Sequence, residues 1–372
     1  MIDYLAEQRV STGSSYSAIP DNEHATNAVK NALAKFEQDT AGSVLLFLSS
    51  AYSHAPQGAI KAAAKAAGTT QVFGCCAMNL LTEDEWLMDV EGAVAMVLPS
   101  DLSLTPVKIL ERLGTIPQLV LTLTSPNAAN IAINSTSLPQ IGSITSDEFG
   151  HGPFSVWQSG QIEEHEFSQV GISERLQGHI LSAQGIKPLS EIMQINLATG
   201  RSLKEVGERV AIDSMSSSAR ELALTKPYNL MCAISEDSDI ESIHQGHFKV
   251  NHVVSVDSDT GEILISGKPK AGRHMFWAIR DPESAEQSMQ DQLIKLKSRL
   301  TKPPLFALLF PNISRGAEFY GGRDRDLDCF SGAFPGLPTI GFYGNGEITP
   351  GHRGKGLIQR YTTLAVVFTE ED

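Results

Sequence analysis

Pro338-Thr339-Ile340-Gly341-Phe342-Tyr343-Gly344-Asn345-Gly346-Glu347-Ile348, with Asn312-Ile313-Ser314-Arg315-Gly316 upstream, reads as a strand, a glycine turn and a carboxylate. Ile340 and Phe342 alternate with small or amphipathic residues, the period of a half-buried strand. Gly344, Asn345 and Gly346 tolerate the backbone angles of a tight turn, so a hairpin is the plain structural reading. The functional reading is a ligand loop. Small residues beside one charge let a ligand approach the main chain, and Arg315 next to Gly316 adds a fork of donors for an anion.

Working outward, Phe306 to Phe310 is a continuous apolar run of strand length, followed by a helical stretch with Leu327, Cys329 and Phe330. The same succession stands near the start of the chain. Val44 to Leu48 is an apolar run ending in Ser49-Ser50-Ala51, Pro56 opens and Gly68 closes an alanine-rich helix, and Gln71-Val72-Phe73 enters Gly74-Cys75-Cys76-Ala77. Val44–Ala77 therefore echoes Leu305–Glu347 as two related strand–helix–strand cores. Ligands of α/β sheets gather outside the carboxyl ends of strands, which puts Ser49, Cys75, Arg315 and Asn345 on ligand-facing rims.

The intervening sequence supplies further elements. Asp21 caps a helix with Ala25, Ala28, Val29, Ala32, Leu33 and Phe36 at helical spacing; Gly92 to Leu98 is a strand; Thr105-Pro106 opens a helix closed by Gly114 before the strand Gln118 to Leu123. Ser125 to Phe167 weakens into turns around Gly150-His151-Gly152-Pro153, and helical spacing returns at Leu203 to Val210. Leu230 to Ile234, Phe248 to Val254 and Glu262 to Ile265 read as antiparallel sheet, and Met289, Leu293, Leu296 and Leu300 give a helix one apolar face. The expected class is α/β, α+β mixed in detail: two mixed-sheet domains with flanking helices, residues 25–207 and 208–368.

The 372 residues are 41% hydrophobic, enough for sizeable cores, and carry a net charge of -14 at a pI of 5.2 without a block of lysine or arginine. Nucleic acid and anionic membrane are not expected partners. Met1 to Val10 lacks a signal-peptide pattern and the apolar runs are too short to span a bilayer, so a cytoplasmic location is expected. Four cysteines in a chain of this length fit reduced thiols better than a disulfide framework.

Phe73-Gly74-Cys75-Cys76-Ala77 followed by Trp86 resembles the core of the FIST N-terminal domain, and Ser314-Arg315-Gly316 with Gly341 to Ile348 resembles the FIST C-terminal domain. Gly272-Arg273, Arg280-Asp281 and Tyr361-Thr362-Thr363 fall in that family's order, and the resemblance covers about residues 25 to 368. It implies a stand-alone intracellular sensory module that binds a small ligand, such as an amino-acid-like molecule, and acts through a separate signalling protein. Some bacterial members bind haem and respond to nitric oxide. Eukaryotic relatives carry an F-box and serve ubiquitin ligases, but the first twenty residues here lack an F-box pattern. Two positions depart from the family: Asn312 stands where a cysteine often precedes Arg-Gly, and Asn251 where an arginine often follows the residue at Val250.

The candidate ligand-binding residues are Gly74, Cys75, Arg315, Gly316, Tyr343, Gly344, Asn345, Gly346 and Glu347, with Glu347 facing a ligand amine or donor and Arg315 a carboxylate or other anion. No catalytic residue is expected. Cys75 and Cys76 follow a buried strand without an evident base, and neither G-x-S-x-G nor H-E-x-x-H occurs. His244, His247 and His252 lack the spacing or acidic support of a metal site. Gly351-His352-Arg353-Gly354-Lys355-Gly356 lacks the strand-to-helix context of a P-loop, and the acidic runs Glu83-Asp84-Glu85 and Glu236 to Glu241 read as solvated surface. A haem needs only one axial histidine, for which His54, His151 and His252 rank equally. A small-ligand sensor without enzymatic activity is the leading reading. A haem-based nitric-oxide sensor, an interaction scaffold and an unrecognised enzyme remain open beside it.

Overall fold

A computed structural model describes residues 9–35, 40–147, 150–219, 229–351 and 356–371. Phe36, most of Met1 to Val10 and the core of the Gly351 to Gly356 loop lie outside these residues. The chain forms two compact units, one from Met1–Ala183, Glu286–Ile358 and Thr362–Asp372, the other from Gln184–Ala285 and Gln359–Tyr361. Helices and sheets make up both, as the α/β reading expects; the sheets of the larger unit are mixed, whereas that of the smaller is antiparallel throughout, which corrects the expectation of two mixed-sheet domains.

The larger unit is built from one motif used three times. Ser43–Ser49 pairs in parallel with Val72–Ala77, Val120–Thr124 with Gln140–Ile144, and Pro304–Pro311 with Thr339–Phe342. The helices between partners are Gln57–Ala67, Ala129–Asn134 and Arg325–Ala333. The first and third copies are the two echoing stretches of the sequence. The second is hidden by a helix of only six residues, too short to show a period.

Each parallel pair sits inside a six-stranded sheet with the same order. An antiparallel strand flanks the first member of the pair: Glu91–Leu98, Phe167–Gly171 or Thr362–Glu370. A strand from elsewhere flanks the second member. Leu80–Thr82, which follows the first pair, crosses to the third sheet and pairs with Thr339–Phe342. Val156–Gln158, which follows the second pair, crosses to the first sheet and meets Val72–Ala77. Glu347–Pro350, which follows the third pair, crosses to the second sheet and meets Gln140–Ile144. The three sheets thus exchange strands in a ring.

This exchange corrects the hairpin reading of Gly344-Asn345-Gly346. The strands on either side of that turn belong to different sheets, so the glycines serve a crossing. A Cβ on Gly344 would stand 1.9 Å from Ser143 Oγ. The three sheets share one apolar core, in which Phe47, Phe310 and Phe342 meet edge to face.

Several helix boundaries follow their sequence signals. Asp21 accepts a hydrogen bond from the Glu23 N–H at the start of Asn22–Ala34, and Gly68 and Gly114 close their helices with φ of 68° and 71°. The helical spacing of Leu203 to Val210 is overturned. Ser202–Val206 and Arg209–Val210 are paired strands, and Gly207 and Glu208 between them have φ of 59° and 62°, as a two-residue hairpin turn requires. Leu203, Val206 and Val210 share helical spacing by coincidence; the helix begins at Ala211.

The smaller unit is a closed antiparallel barrel. Met193–Thr199, Ser202–Val206, Ile263–Ile265, Phe248–Val256, Met231–Ser235 and His274–Arg280 pair in that order, and the last pairs with the first. Closure removes the sheet edges. Ala211 and Met215 of the Ala211–Ala219 helix join its apolar core, where Ser214 Oγ accepts a hydrogen bond from Trp277 Nε1 at 3.2 Å.

Candidate functional site

The carboxyl ends of the parallel strands converge in the larger unit. The Tyr343 N–H donates to the Asn79 carbonyl at 3.0 Å, Ser146 Oγ donates to the Tyr343 carbonyl at 2.5 Å, and the Met78 N–H donates to Ser146 Oγ at 3.2 Å. One segment from each copy of the motif takes part. The Asn345 N–H donates to the Ile144 carbonyl at 2.9 Å, which leaves the Asn345 side chain exposed at the rim.

Beneath this rim lies a charged network. Arg315, at 1% exposure, holds Asp326, at 0%, through both sides of its fork: Nε to Oδ2 at 2.9 Å and Nη2 to Oδ1 at 2.7 Å. Its other donors reach the Ala183 carbonyl and the Tyr320 hydroxyl at 2.6 and 3.0 Å. Thr363 Oγ1 donates to Asp326 at 2.8 Å. Asp324 accepts from the Tyr343 hydroxyl at 2.5 Å and caps the Arg325–Ala333 helix through the Asp326 and Leu327 N–H groups. Glu347 accepts from Asn312 Nδ2 at 3.0 and 3.2 Å.

Burial decides the protonation of these acids. It lifts Glu347 well above the usual carboxylate range, against the pull of Asn312 and Arg315, and raises Asp324 to about 6. For Arg315 burial acts downward, but the charge of Asp326 overcomes it and holds the guanidinium above its ordinary value. Arg315 and Asp326 are therefore an ion pair, whereas Glu347 favours the neutral acid and Asp324 takes up its proton only below about pH 6.

Arg315, Gly316, Tyr343, Gly344, Asn345, Gly346 and Glu347 are brought together as the sequence suggested. Gly316 lies against the Tyr343 ring, where an added Cβ would stand 3.6 Å from Cε1. Their accessibility differs from the expectation. Arg315 and Glu347 face internal partners, and Asn345 and Gly316 are the more accessible members of the set. Gly74 and Cys75 depart from the rim. Gly74 faces the Leu46 carbonyl inside the sheet, and Cys75 is wholly buried in the core, its thiol pushed well up by burial. Cys76 points into a second apolar cluster, its thiol pushed up to about 12 by burial. Ser49 donates to Glu91. The corresponding position of the second pair, Ser125, donates to Glu166, so all three strand ends hold a glutamate.

Asp324, Asp326, Tyr320 and the role of Asn312 escaped the sequence reading. Asp324 two residues before Asp326, ahead of Leu327 and Phe330, is a helix-cap signal that could have located the acids. Of the haem-ligand candidates, His54 and His151 are exposed, and His252 hydrogen-bonds Tyr361 in the barrel unit. Among the described residues, no group of three or more His, Cys, Asp or Glu is placed to hold a metal ion, and no helix is long and apolar enough to cross a membrane.

A groove of about 400 Å³ elsewhere on the larger unit is lined by Thr12, Ser14, Asn31, Lys35, Asp84 and Glu85. Its polar groups are already joined, Ser14 to Glu85 and Lys35 to Asp84, and the neighbouring Thr12 bonds Glu83. They tie the N-terminal strand and helix to the segment at 82–85.

A rim of strand ends over a buried charged network, with a barrel unit inserted in the chain, characterises this α/β protein. Its family follows from comparison with known domains. The FIST N domain matches residues 43–209 and the FIST C domain residues 206–350, so the chain belongs to the FIST family and carries both domains in tandem. FIST domains suggest a sensory role in signal transduction. Curated relatives include an uncharacterized protein of Mycobacterium bovis, 25% identical over 201 residues, or 53% of this chain and 52% of that protein. Another, from Mycobacterium tuberculosis, is 25% identical over 195 residues, 50% of each chain. The match therefore spans about half the length of these relatives.

Proposed function

We propose that the protein is a sensor whose small ligand docks on the rim at Gly316 and Asn345 and is read out by the charged network below. The convergence of Met78, Ser146 and Tyr343 over that network carries this reading. A ligand that favours one arrangement of the rim biases Tyr343, whose hydroxyl is bonded to Asp324, and the population of the two arrangements shifts by the difference in affinity. Amino-acid-like molecules are the first class to screen, since their donors and acceptors suit the Asn345 amide and the exposed backbone. Binding without turnover, with the output passed to a separate signalling protein, completes the proposal.

The test is a thermal-shift screen of the full chain against amino acids and related zwitterions, followed by calorimetry on Asn345→Ala and Gly316→Val. A ligand whose affinity falls about tenfold in either variant, the worth of one polar contact left unpaired, supports the site. Equal affinity in wild type and both variants, or no ligand in the class raising the melting temperature, would sink it.

A further inference from the structure

In the barrel unit one aromatic ring meets a histidine and an arginine, with a second arginine next to it in the chain. Tyr361 has a left-handed backbone, with φ of 60°, and its half-buried hydroxyl is hydrogen-bonded to His252 Nε2. The two rings meet nearly at right angles, with centroids 5.5 Å apart. The Arg280 guanidinium carbon stands 5.5 Å from the centroid of the same tyrosine ring. Arg360, the preceding residue, is exposed, as is Arg280.

We propose that Arg280, Arg360, His252 and Tyr361 form a binding site for a compact oxyanion, phosphate or the phosphate of a small monoester. Guanidinium forks present paired N–H donors to tetrahedral oxyanions, and each carries five donors, so an arriving oxygen can share a guanidinium that already has other contacts. Once His252 Nε2 carries a proton and donates to the phenol oxygen, the Tyr361 hydroxyl adds a neutral donor. His252 supplies a charge on demand. Burial first, then the charges of Arg360 and Arg280, hold it below the ordinary histidine range, and an anion set among these cations reverses the electrostatic part of that effect. The concentration of positive charge is local, in a chain of net charge -14. Holding a non-glycine residue in the left-handed region costs conformational energy, and such strain clusters where a side chain must be aimed.

The test is calorimetric titration of the full chain with inorganic phosphate and, separately, phenyl phosphate, repeated on R280Q/R360Q and on Y361F. Both arginines are exposed, so circular dichroism and melting of the double variant should match wild type. Saturable binding that falls at least about tenfold in R280Q/R360Q and more modestly in Y361F supports the site. Tighter binding of phenyl phosphate identifies a monoester as the ligand, and equal binding identifies the free anion. Nuclear magnetic resonance gives an independent readout: phosphate should raise the pH at which His252 titrates in wild type and leave it unmoved in the double variant. Absence of saturable binding to wild type, or affinity in a folded double variant equal to wild type, overturns the proposal.

Discussion

Arg315 illustrates how burial changes the meaning of a side chain. Its sequence context, an arginine beside a glycine near a strand end, suits an anion receptor, yet the partner it holds is Asp326 of the same chain. Removing one member of a buried pair strands the other. Arg315→Ala should therefore cost about 3–5 kcal/mol in urea unfolding, whereas Arg315→Met with Asp326→Leu should lose much less, because no charge is left behind. Asp324 provides a pH signature. Its carboxyl rises from 3.8 to about 6 in the fold, so the native state keeps a proton that the unfolded chain releases. That contribution is full below about pH 4 and disappears as pH rises through about 6, on the order of 3 kcal/mol in total. Glu347 shifts in the same direction. Asp101, Asp257 and Glu262 shift in the opposite one, so the measurement is a difference: stability from pH 4 to 7 in wild type minus that in Asp324→Asn. It should fall with rising pH; a flat difference would show that Asp324 is not so perturbed. The site was thus half legible. The rim residues announced themselves as a glycine-rich turn with a charge, but the acids that engage Arg315 and Tyr343 lie on a helix whose polar face looks like any solvated one.

At the scale of the element, the parallel pairs share one device. Gly74, Gly142 and Gly341 stand in the second strand of each pair, where an added Cβ would come within 1.7, 1.9 and 1.6 Å of the carbonyl oxygens of Leu46, Thr122 and Leu309. Each also pairs with the incoming crossed strand: Trp157, Ile348 and Leu81 are their partners. A side chain there would collide with the backbone of the parallel partner strand. Gly142→Ala should destabilise by at least about 3 kcal/mol in thermal or chemical unfolding. Gly114→Ala, at a helix end with no heavy atom within 4 Å, should cost only about 1 kcal/mol for its left-handed backbone. Equal losses at the two positions would contradict the packing explanation. Helices were the more legible elements because caps, prolines and glycines act locally. Strands were legible as apolar runs but not as partners, and the Ser202–Val206 hairpin is hidden because Leu203, Val206 and Val210 fall at i, i+3 and i+7 across the turn that separates its two strands.

For the whole molecule, the exchange of strands means that sequence neighbours are not structural neighbours. Leu80–Thr82 finds its partner in Thr339–Phe342, and Glu347–Pro350 finds its own in Gln140–Ile144. A chain ending at residue 209, the limit of the FIST N match, would leave the edges of two sheets unpaired. It should aggregate or remain unfolded by circular dichroism, while the contiguous barrel segment 184–285 should give a dispersed proton–nitrogen spectrum alone. A well-folded 1–209 fragment would refute this account of the ring. Repeated use of one motif was visible in sequence for two copies out of three, since the echo needs only local pattern; the crossings that bind the copies have no local signature. They also bear on biosynthesis. Thr339 donates to Glu83 from 256 residues further along the chain. At a ribosomal rate of about 5–20 residues per second, the Leu80–Thr82 strand waits roughly 13–50 seconds for that partner to be synthesised. During that interval the nascent chain presents an unfilled strand edge to its surroundings, and its need for protection lasts until residue 339 has been made.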